Sequence, residues 1–184
     1  EYPENLSEGK LTGALENEQY FWLGIACEQM NDLDNARNCW DKATAGMDVP
    51  AAAMFYNDQQ PDTIFYRGLA LKKMGKREQA EALFDRLVEY GKKHENDMVR
   101  IDYFAVSLPD LLIWDDDLNF RNRLNCRYLR GLGEWGKGNH EKAVSLFREV
   151  SEMNPAHAGS RIHLTMQEYE TYLDFFEGGK GGKG

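Results

Sequence analysis

A glycine-rich run at residues 131–136 is the part of this sequence that comes nearest to a cofactor-binding motif. Its letters, GLGEWG, fit the pattern GxGxxG. That pattern binds the pyrophosphate of a dinucleotide when it connects a strand to the N-terminus of a helix. Here no strand pattern precedes the run, and the glycines lie late in a helical pattern. We therefore do not expect a dinucleotide cofactor.

An acidic run at residues 115–119 resembles the start of a calcium-binding loop. The sixth position of such a loop must be glycine and the twelfth a bidentate glutamate, but here they are Phe120 and Cys126. The acidic side chains are better explained as caps that complement the dipole of a following helix. An opportunistically bound cation is the alternative, and we predict no dedicated metal site.

Histidines and cysteines are few and poorly spaced for chemistry. The four histidines (residues 94, 140, 157 and 163) form no HExxH motif and no i, i+4 pair, so surface roles are expected for them. The three cysteines form no CxxC pair, which argues against zinc and against a disulfide framework. Their helical surroundings suit small buried thiols and predict a reducing, cytoplasmic location. Because no serine-nucleophile or phosphate-loop motif appears either, the sequence predicts no enzyme activity and no cofactor.

The charge balance limits the partners. The formal net charge is −9 over 184 residues, whereas a nucleic-acid backbone needs a basic surface. The basic residues at positions 72, 73, 76 and 77 are expected to be a solvated helix end. No apolar run approaches the roughly 20 residues that span a bilayer. We therefore predict neither a nucleic-acid partner nor a membrane partner.

The elements that position these side chains are set by an internal repeat. Gly24, Gly68 and Gly131 each start the same series of residue types. A turn-forming residue follows each glycine after seven positions, an alanine after twelve and a large aromatic residue after sixteen. These residues are Asn31, Gly75 and Gly138; Ala36, Ala80 and Ala143; and Trp40, Phe84 and Phe147.

The spacing predicts three helical hairpins. First helices are expected over residues 18–30, 63–74 and 124–137, and second helices over 33–43, 77–90 and 140–153. Each turn residue tolerates the left-handed backbone in which helices commonly end. Glycine on one helix and alanine on the other let the two approach closely, and the aromatic residue is expected to fill the gap to the next unit.

This order of small residue, tight turn, small residue and aromatic residue resembles the tetratricopeptide repeat. The resemblance implies an all-α solenoid of stacked helical hairpins, with three interrupted units at about residues 17–46, 61–93 and 124–155. The interruptions, residues 50–60 and 96–122, are expected to be ordered. Arg130 departs from the repeat, which usually has leucine before this glycine.

An apolar stripe at helical spacing predicts a further helix at residues 158–177 that covers the end of the stack. The glycine-rich residues 178–184 read as a flexible tail or expression remnant, so the domain is expected to span residues 1–177. The stripe consists of Ile162, Met166, Tyr169, Leu173 and Phe176.

Three stretches, residues 2–11, 56–61 and 107–118, resemble a family of large bacterial proteins. In that family an N-terminal β-rich domain, related to carbohydrate-active folds, precedes a tetratricopeptide part. The resemblance implies that this chain is the C-terminal part of such a protein, in a setting of carbohydrate metabolism.

The tetratricopeptide resemblance also implies where a ligand binds, because first helices line the concave groove of such arrays. The second groove position of each unit holds Glu18, Asp62 or Asn125. The fifth position is aromatic in every unit, and an aromatic ladder suits a peptide or the face of a sugar. The candidate site residues are Phe21, Glu28, Phe65, Lys72, Tyr128 and Trp135.

Three functions remain open at this point. The first is a non-catalytic interaction module, whose partner is another protein, a peptide or its own upstream domain. The second is an accessory part of a carbohydrate-active or glycan-binding protein. The third is self-association through the exposed ends of the stack. The alternative to an open groove is that the two interruptions cover some of its aromatic residues.

Overall fold

The computed structural model describes residues 15–51, 60–99 and 117–168, and these ranges contain seven α-helices and no strand. The predicted all-α solenoid of helical hairpins is confirmed. The helices are α1 (Asn17–Gln29), α2 (Leu33–Lys42), α3 (Pro61–Lys73), α4 (Arg77–His94), α5 (Leu118–Gly136), α6 (His140–Met153) and α7 (Ala158–Glu168).

One type of turn closes the hairpins α1–α2, α3–α4 and α5–α6. Asn31, Gly75 and Gly138 adopt the left-handed backbone, with φ of 60°, 77° and 83°. The amide that follows each of them donates to the carbonyl five residues earlier, at 2.9 Å in all three hairpins. This bond satisfies a carbonyl that a helix end leaves unpaired. The predicted turn residues are therefore confirmed.

Each first helix packs its glycine against an aromatic ring of its own hairpin. A Cβ atom added to Gly24, Gly68 or Gly131 would lie 2.3–2.4 Å from the ring sixteen residues later in the chain. The three alanines that follow these glycines after twelve positions, Ala36, Ala80 and Ala143, are fully buried. The sixteen-residue spacing thus places the ring over the glycine of the same unit, which the sequence-based interpretation did not include. Phe84 also reaches Gly136 of the next unit, as predicted for the gap between units.

The interface between α4 and α5 joins the second hairpin to the third, and both helices are longer than predicted. α5 begins at Leu118 rather than at residue 124, because the Asp117 carboxylate caps it by accepting from the Phe120 amide at 2.9 Å. α4 continues to His94 instead of ending at residue 90. Glu95 follows directly and accepts 2.7 Å bonds from Arg127 and Arg130 of α5. The unusual Arg130 therefore belongs to an ion-pair network between units.

Helix α7 covers the end of the third hairpin, which confirms a covering helix over the residues that the structure describes. Its buried face differs from the predicted stripe, because Ile162 is 47% exposed whereas Ser160 and His163 are 0% and 1% exposed. Small and polar side chains fit here because rings from α3, α5 and α6 already fill the space. The expectations for residues 169–177, for the tail and for most of both interruptions fall outside the described residues.

Within residues 15–51, 60–99 and 117–168, every helix is too short or too polar to cross a membrane. The three cysteines are buried and free, as expected for small apolar residues inside helices. The predicted surface role of the histidines is wrong for His163, which lies in the core.

Candidate functional site

The polar candidates of the groove are engaged in bonds between units. Glu28 of α1 accepts from the Lys73 ammonium at 2.7 Å. Lys72 donates from its own ammonium to the Gly136 carbonyl at 2.8 Å, and so places a cation at the C-terminus of α5. These side chains therefore connect neighbouring first helices, and the basic run that contains both lysines is not simply a solvated helix end.

The aromatic candidates are buried rather than arranged as an exposed ladder. Phe21, Phe65 and Trp135 are 0–1% exposed, and Tyr128 is 3% exposed. Each ring packs against other rings, for example Phe21 against Tyr66 with centroids 5.6 Å apart. Of the two possibilities that the sequence left open, an open aromatic groove and covered rings, this burial agrees with the second.

His163 is the residue of α7 that packs against both the second and the third hairpin. It contacts the rings of Phe65 and Phe147 with centroids 5.4 and 5.2 Å apart. Its Nδ1 lies 2.7 Å from the Gly159 carbonyl, to which it donates. Burial lowers the pKa of His163, although the nearby Asp62 carboxylate acts in the opposite direction. The ring is therefore held as a neutral packing element, and the hairpin repeat gives no signal for it.

A cavity of about 600 Å³ opens where the N-terminal ends of α1, α3 and α7 meet the side of α5. All three second-position residues, Glu18, Asp62 and Asn125, line it. Of the six residues singled out as the candidate site, Tyr128 belongs to its wall. The repeat positions thus converge on one cavity, although the residues ranked first by sequence mostly lie elsewhere. Among the described residues, its lining also includes Leu15, Asn17, Pro61, Phe120, Arg121, Leu124 and His157.

Two buried tyrosine hydroxyls hold the two carboxylates of this cavity. Tyr66 donates to Glu18 Oε1 at 3.1 Å, and Tyr128 donates to Asp62 Oδ2 at 2.9 Å. Burial and the adjacent carboxylates raise the pKa of both tyrosines well above the usual value. The hydroxyls therefore remain protonated donors over the physiological range, and they orient the carboxylates without neutralising them.

The N-terminal end of α7 completes the wall beside Tyr128 of α5. His157 packs against Tyr128 with ring centroids 4.7 Å apart, and burial lowers the pKa of His157. Gly159 is required beside it, because a Cβ atom there would lie 2.3 Å from the Tyr128 hydroxyl. These two residues escaped the sequence reasoning, since they lie beyond the third repeat. The sequence offers only a weak indication of their role, namely a glycine and a histidine near the start of the covering helix.

The glycines of the run 131–136 have packing roles. Gly133 faces the backbone carbonyl of Phe84, and a Cβ atom would lie 2.6 Å from that oxygen. Glu134, the next residue of the run, is 3% exposed. Its carboxylate accepts from Asn139 at 2.7 Å and from Lys142. The run therefore brings α5 close to α4, as a helical location implies. Among the described residues there is also no group of three potential metal ligands.

Comparison with known proteins places the repeat in a family. No solved structure matches the chain. The family model of the tetratricopeptide repeat matches residues 62–90, which lie within α3–α4. The hairpins on either side share the glycine, the turn, the buried alanine and the aromatic ring of this unit. Helices α3 and α4 therefore form a tetratricopeptide repeat, the type of unit that generally serves in protein interactions.

Proposed function

We propose that this chain is a non-catalytic interaction module that binds a segment of a protein in the cavity between α1, α3, α5 and α7. The observation that carries the proposal is the convergence of all three second-position side chains on that cavity. Its wall combines apolar side chains with carboxylates, amides and hydroxyls. Such a mixture suits an extended peptide, whose backbone needs hydrogen bonds and whose side chains need apolar contacts.

The partner segment can belong to another protein or to a domain upstream in the same chain. The resemblance to large bacterial proteins supports the second arrangement, with this region as the C-terminal part of a longer polypeptide. Stacking on sugars has less support, because three of the aromatic candidates lie in the core and Tyr128 is 3% exposed. We therefore retain a protein partner as the proposed ligand class.

A substitution at the cavity mouth tests the proposal without disturbing the core. Gln19 is exposed and lines the cavity. Gln19→Trp should obstruct the mouth, and peptides selected from a random display library against the native chain should lose about tenfold or more in affinity. Fluorescence anisotropy with the selected peptides measures this loss.

Gln79→Trp is the matched control, because Gln79 is exposed on α4 and does not line the cavity. The control should bind the selected peptides like the native chain. Equal binding by Gln19→Trp would place the interaction elsewhere on the surface. Failure to enrich any peptide, together with no complex between this chain and the separately produced upstream domain, would contradict an interaction role.

A further inference from the structure

The carboxylates of Glu18 and Asp62 have unused hydrogen-bonding capacity on adjacent walls of the cavity. One oxygen of each accepts from a buried tyrosine, at 3.1 Å and 2.9 Å. Across the described ranges, the second oxygen of each carboxylate has no hydrogen-bond donor and neither group forms an ion pair. Half-buried carboxylates without a cation are unfavourable unless water or a ligand reaches them.

Asn17 lines the same cavity and contains a buried acceptor without a partner. It is 2% exposed, and its Nδ2 donates to the Ala43 and Ala45 carbonyls at 2.6 and 2.8 Å. The oxygen lies on the other side of the planar amide, away from those carbonyls. Asn17 Oδ1 is buried without a donor among the residues that the structure describes. Because a buried acceptor that lacks a partner costs stability, the part of the wall that carries Glu18 also holds an unpaired polar group.

The basic groups of the wall do not balance these acceptors. Arg121 is exposed, and it already interacts with another group. His157 is kept neutral near pH 7, because burial lowers its pKa. The ammonium groups of Lys72 and Lys73 are bound at the C-terminal end of α3, away from the cavity, by the Gly136 carbonyl and by Glu28. The cavity therefore combines a negative potential with acceptors that lack donors.

We propose that this cavity receives the lysine or arginine side chain of a basic segment in the partner protein. The cationic head would lie between Glu18 and Asp62, whose carboxylates supply acceptors from two helices. Its methylene stem would pack on the apolar part of the wall, as the stems of long basic side chains do on other apolar surfaces. The volume of about 600 Å³ exceeds that of one side chain, so it also accommodates flanking residues of the segment.

This inference rests on the proposed interaction function and adds the chemistry of the partner. It excludes acidic segments and free C-terminal carboxylates as ligands, because the carboxylates of the cavity would repel them. The net charge of −9 gives a second, long-range attraction for basic segments. That attraction is non-specific, and the test must separate it from recognition in the cavity.

The test uses the full chain and a peptide display library in which lysine, arginine, alanine and glutamate occur equally often. The cavity variant is the double substitution Glu18→Gln and Asp62→Asn, which removes two charges but keeps shape and the tyrosine bonds. The charge-matched control is Glu89→Gln with Asp34→Asn, since both residues are exposed and away from the cavity. Both variants change the net charge equally, so non-specific attraction weakens equally in both.

The expected result is enrichment of peptides with a conserved lysine or arginine, and loss of about tenfold or more in their affinity for the cavity variant. The charge-matched control should lose less than about threefold, from the weaker long-range field alone. Replacing the conserved basic residue of a selected peptide by alanine should abolish the difference between the cavity variant and the native chain.

Two results would overturn the basic-segment proposal and leave the interaction function standing. One is selection of peptides that bind through the cavity without any basic residue, as judged by their loss in Gln19→Trp. The other is tighter binding of spermidine than of any selected peptide, which would identify a free polyamine as the ligand. Failure to select any peptide, together with no complex between this chain and the upstream domain, would instead contradict the interaction function. Circular dichroism and denaturation midpoints of both double variants establish that each remains folded.

Discussion

At the scale of single residues, the glycine of each first helix and the aromatic ring of its second helix form one packing unit. Gly68 shows how tight the contact is, because a Cβ atom would lie 2.3 Å from Phe84 Cε1 and 2.6 Å from Cζ. The Phe84 ring is fully buried and also lies against Gly136, so it is confined on a second side. Position 68 must therefore be glycine, because the Phe84 ring leaves no room for a Cβ atom.

We expect Gly68→Ala to lower the free energy of unfolding by about 1–3 kcal/mol, because overpacking displaces a buried ring. The better helix propensity of alanine, worth about 1 kcal/mol, offsets part of this cost. Urea denaturation followed by circular dichroism measures the change. Gln79→Ala, on the exposed face of α4, is the control and should change stability by less than about 0.5 kcal/mol.

Adding Phe84→Leu to Gly68→Ala should cost less than the sum of the two single changes. The smaller side chain makes room for the new methyl group, and residues in contact deviate from additivity by about 0.5–3 kcal/mol. Strict additivity of the two changes would show that the alanine acts on something other than the Phe84 ring.

At the scale of elements, α7 is attached through a histidine that the fold keeps neutral. His163 is 1% exposed and faces rings from α3, α5 and α6. Burial lowers its pKa, with Asp62 and Glu18 opposing the shift. Protonation therefore favours the unfolded chain, where a histidine has a pKa of about 6.5.

We expect the stability of the native chain to fall as the pH decreases below about 6.5, because the unfolded state then binds more protons. The slope is at most about 1.4 kcal/mol per pH unit for each such histidine, and His157 contributes with the same sign. His163→Gln, which retains a donor but does not titrate, should reduce this slope while lowering stability at neutral pH. Urea midpoints between pH 5 and 8 provide the measurement.

His94→Asn is the control for this experiment, since His94 lies 30% exposed at the end of α4 beside Asp97. It should retain the decline at low pH. An unchanged slope in His163→Gln would mean that the pKa of His163 is the same in the folded and unfolded chains, and would contradict the effect of burial.

At the scale of the whole molecule, the stack depends on the junction between the second and third hairpins. Glu95 lies there with a side-chain exposure of 15%, and it accepts from two arginines of α5 at 2.7 Å each. In a solenoid, each unit is stabilised mainly by its neighbours, so one weakened interface separates the units on either side.

We expect Glu95→Gln to destabilise the chain by about 1–2 kcal/mol, since two charge-assisted bonds become weaker. The urea transition should also broaden, because the two sides of the junction unfold less cooperatively. Glu89→Gln, an exposed change on the same helix, should leave both midpoint and width unaltered. A shifted midpoint with the native width would show that the network stabilises the stack without coupling its units.

Contacts within one hairpin could be predicted from the sequence, whereas most contacts between hairpins could not. The turn at Gly75 and the close approach at Gly68 involve residues of one hairpin, so a fixed spacing reveals them. The sequence predicts no cavity, and only the second groove positions, which the repeat resemblance implies, turn out to line it. The bond from Lys72 to Gly136 and the burial of His163 depend on how units stack, and no local spacing encodes that arrangement.

The contacts of Phe84 have a consequence for how sequences of this kind can diverge. Its ring lies against Gly68 of its own hairpin and against Gly136, 68 positions further along the chain. A smaller residue at position 84 would release both glycines at once, whereas a larger residue at either glycine position requires a change at position 84 first. Inherited variation at these three sites should therefore be correlated, and the order in which substitutions accumulate should be constrained.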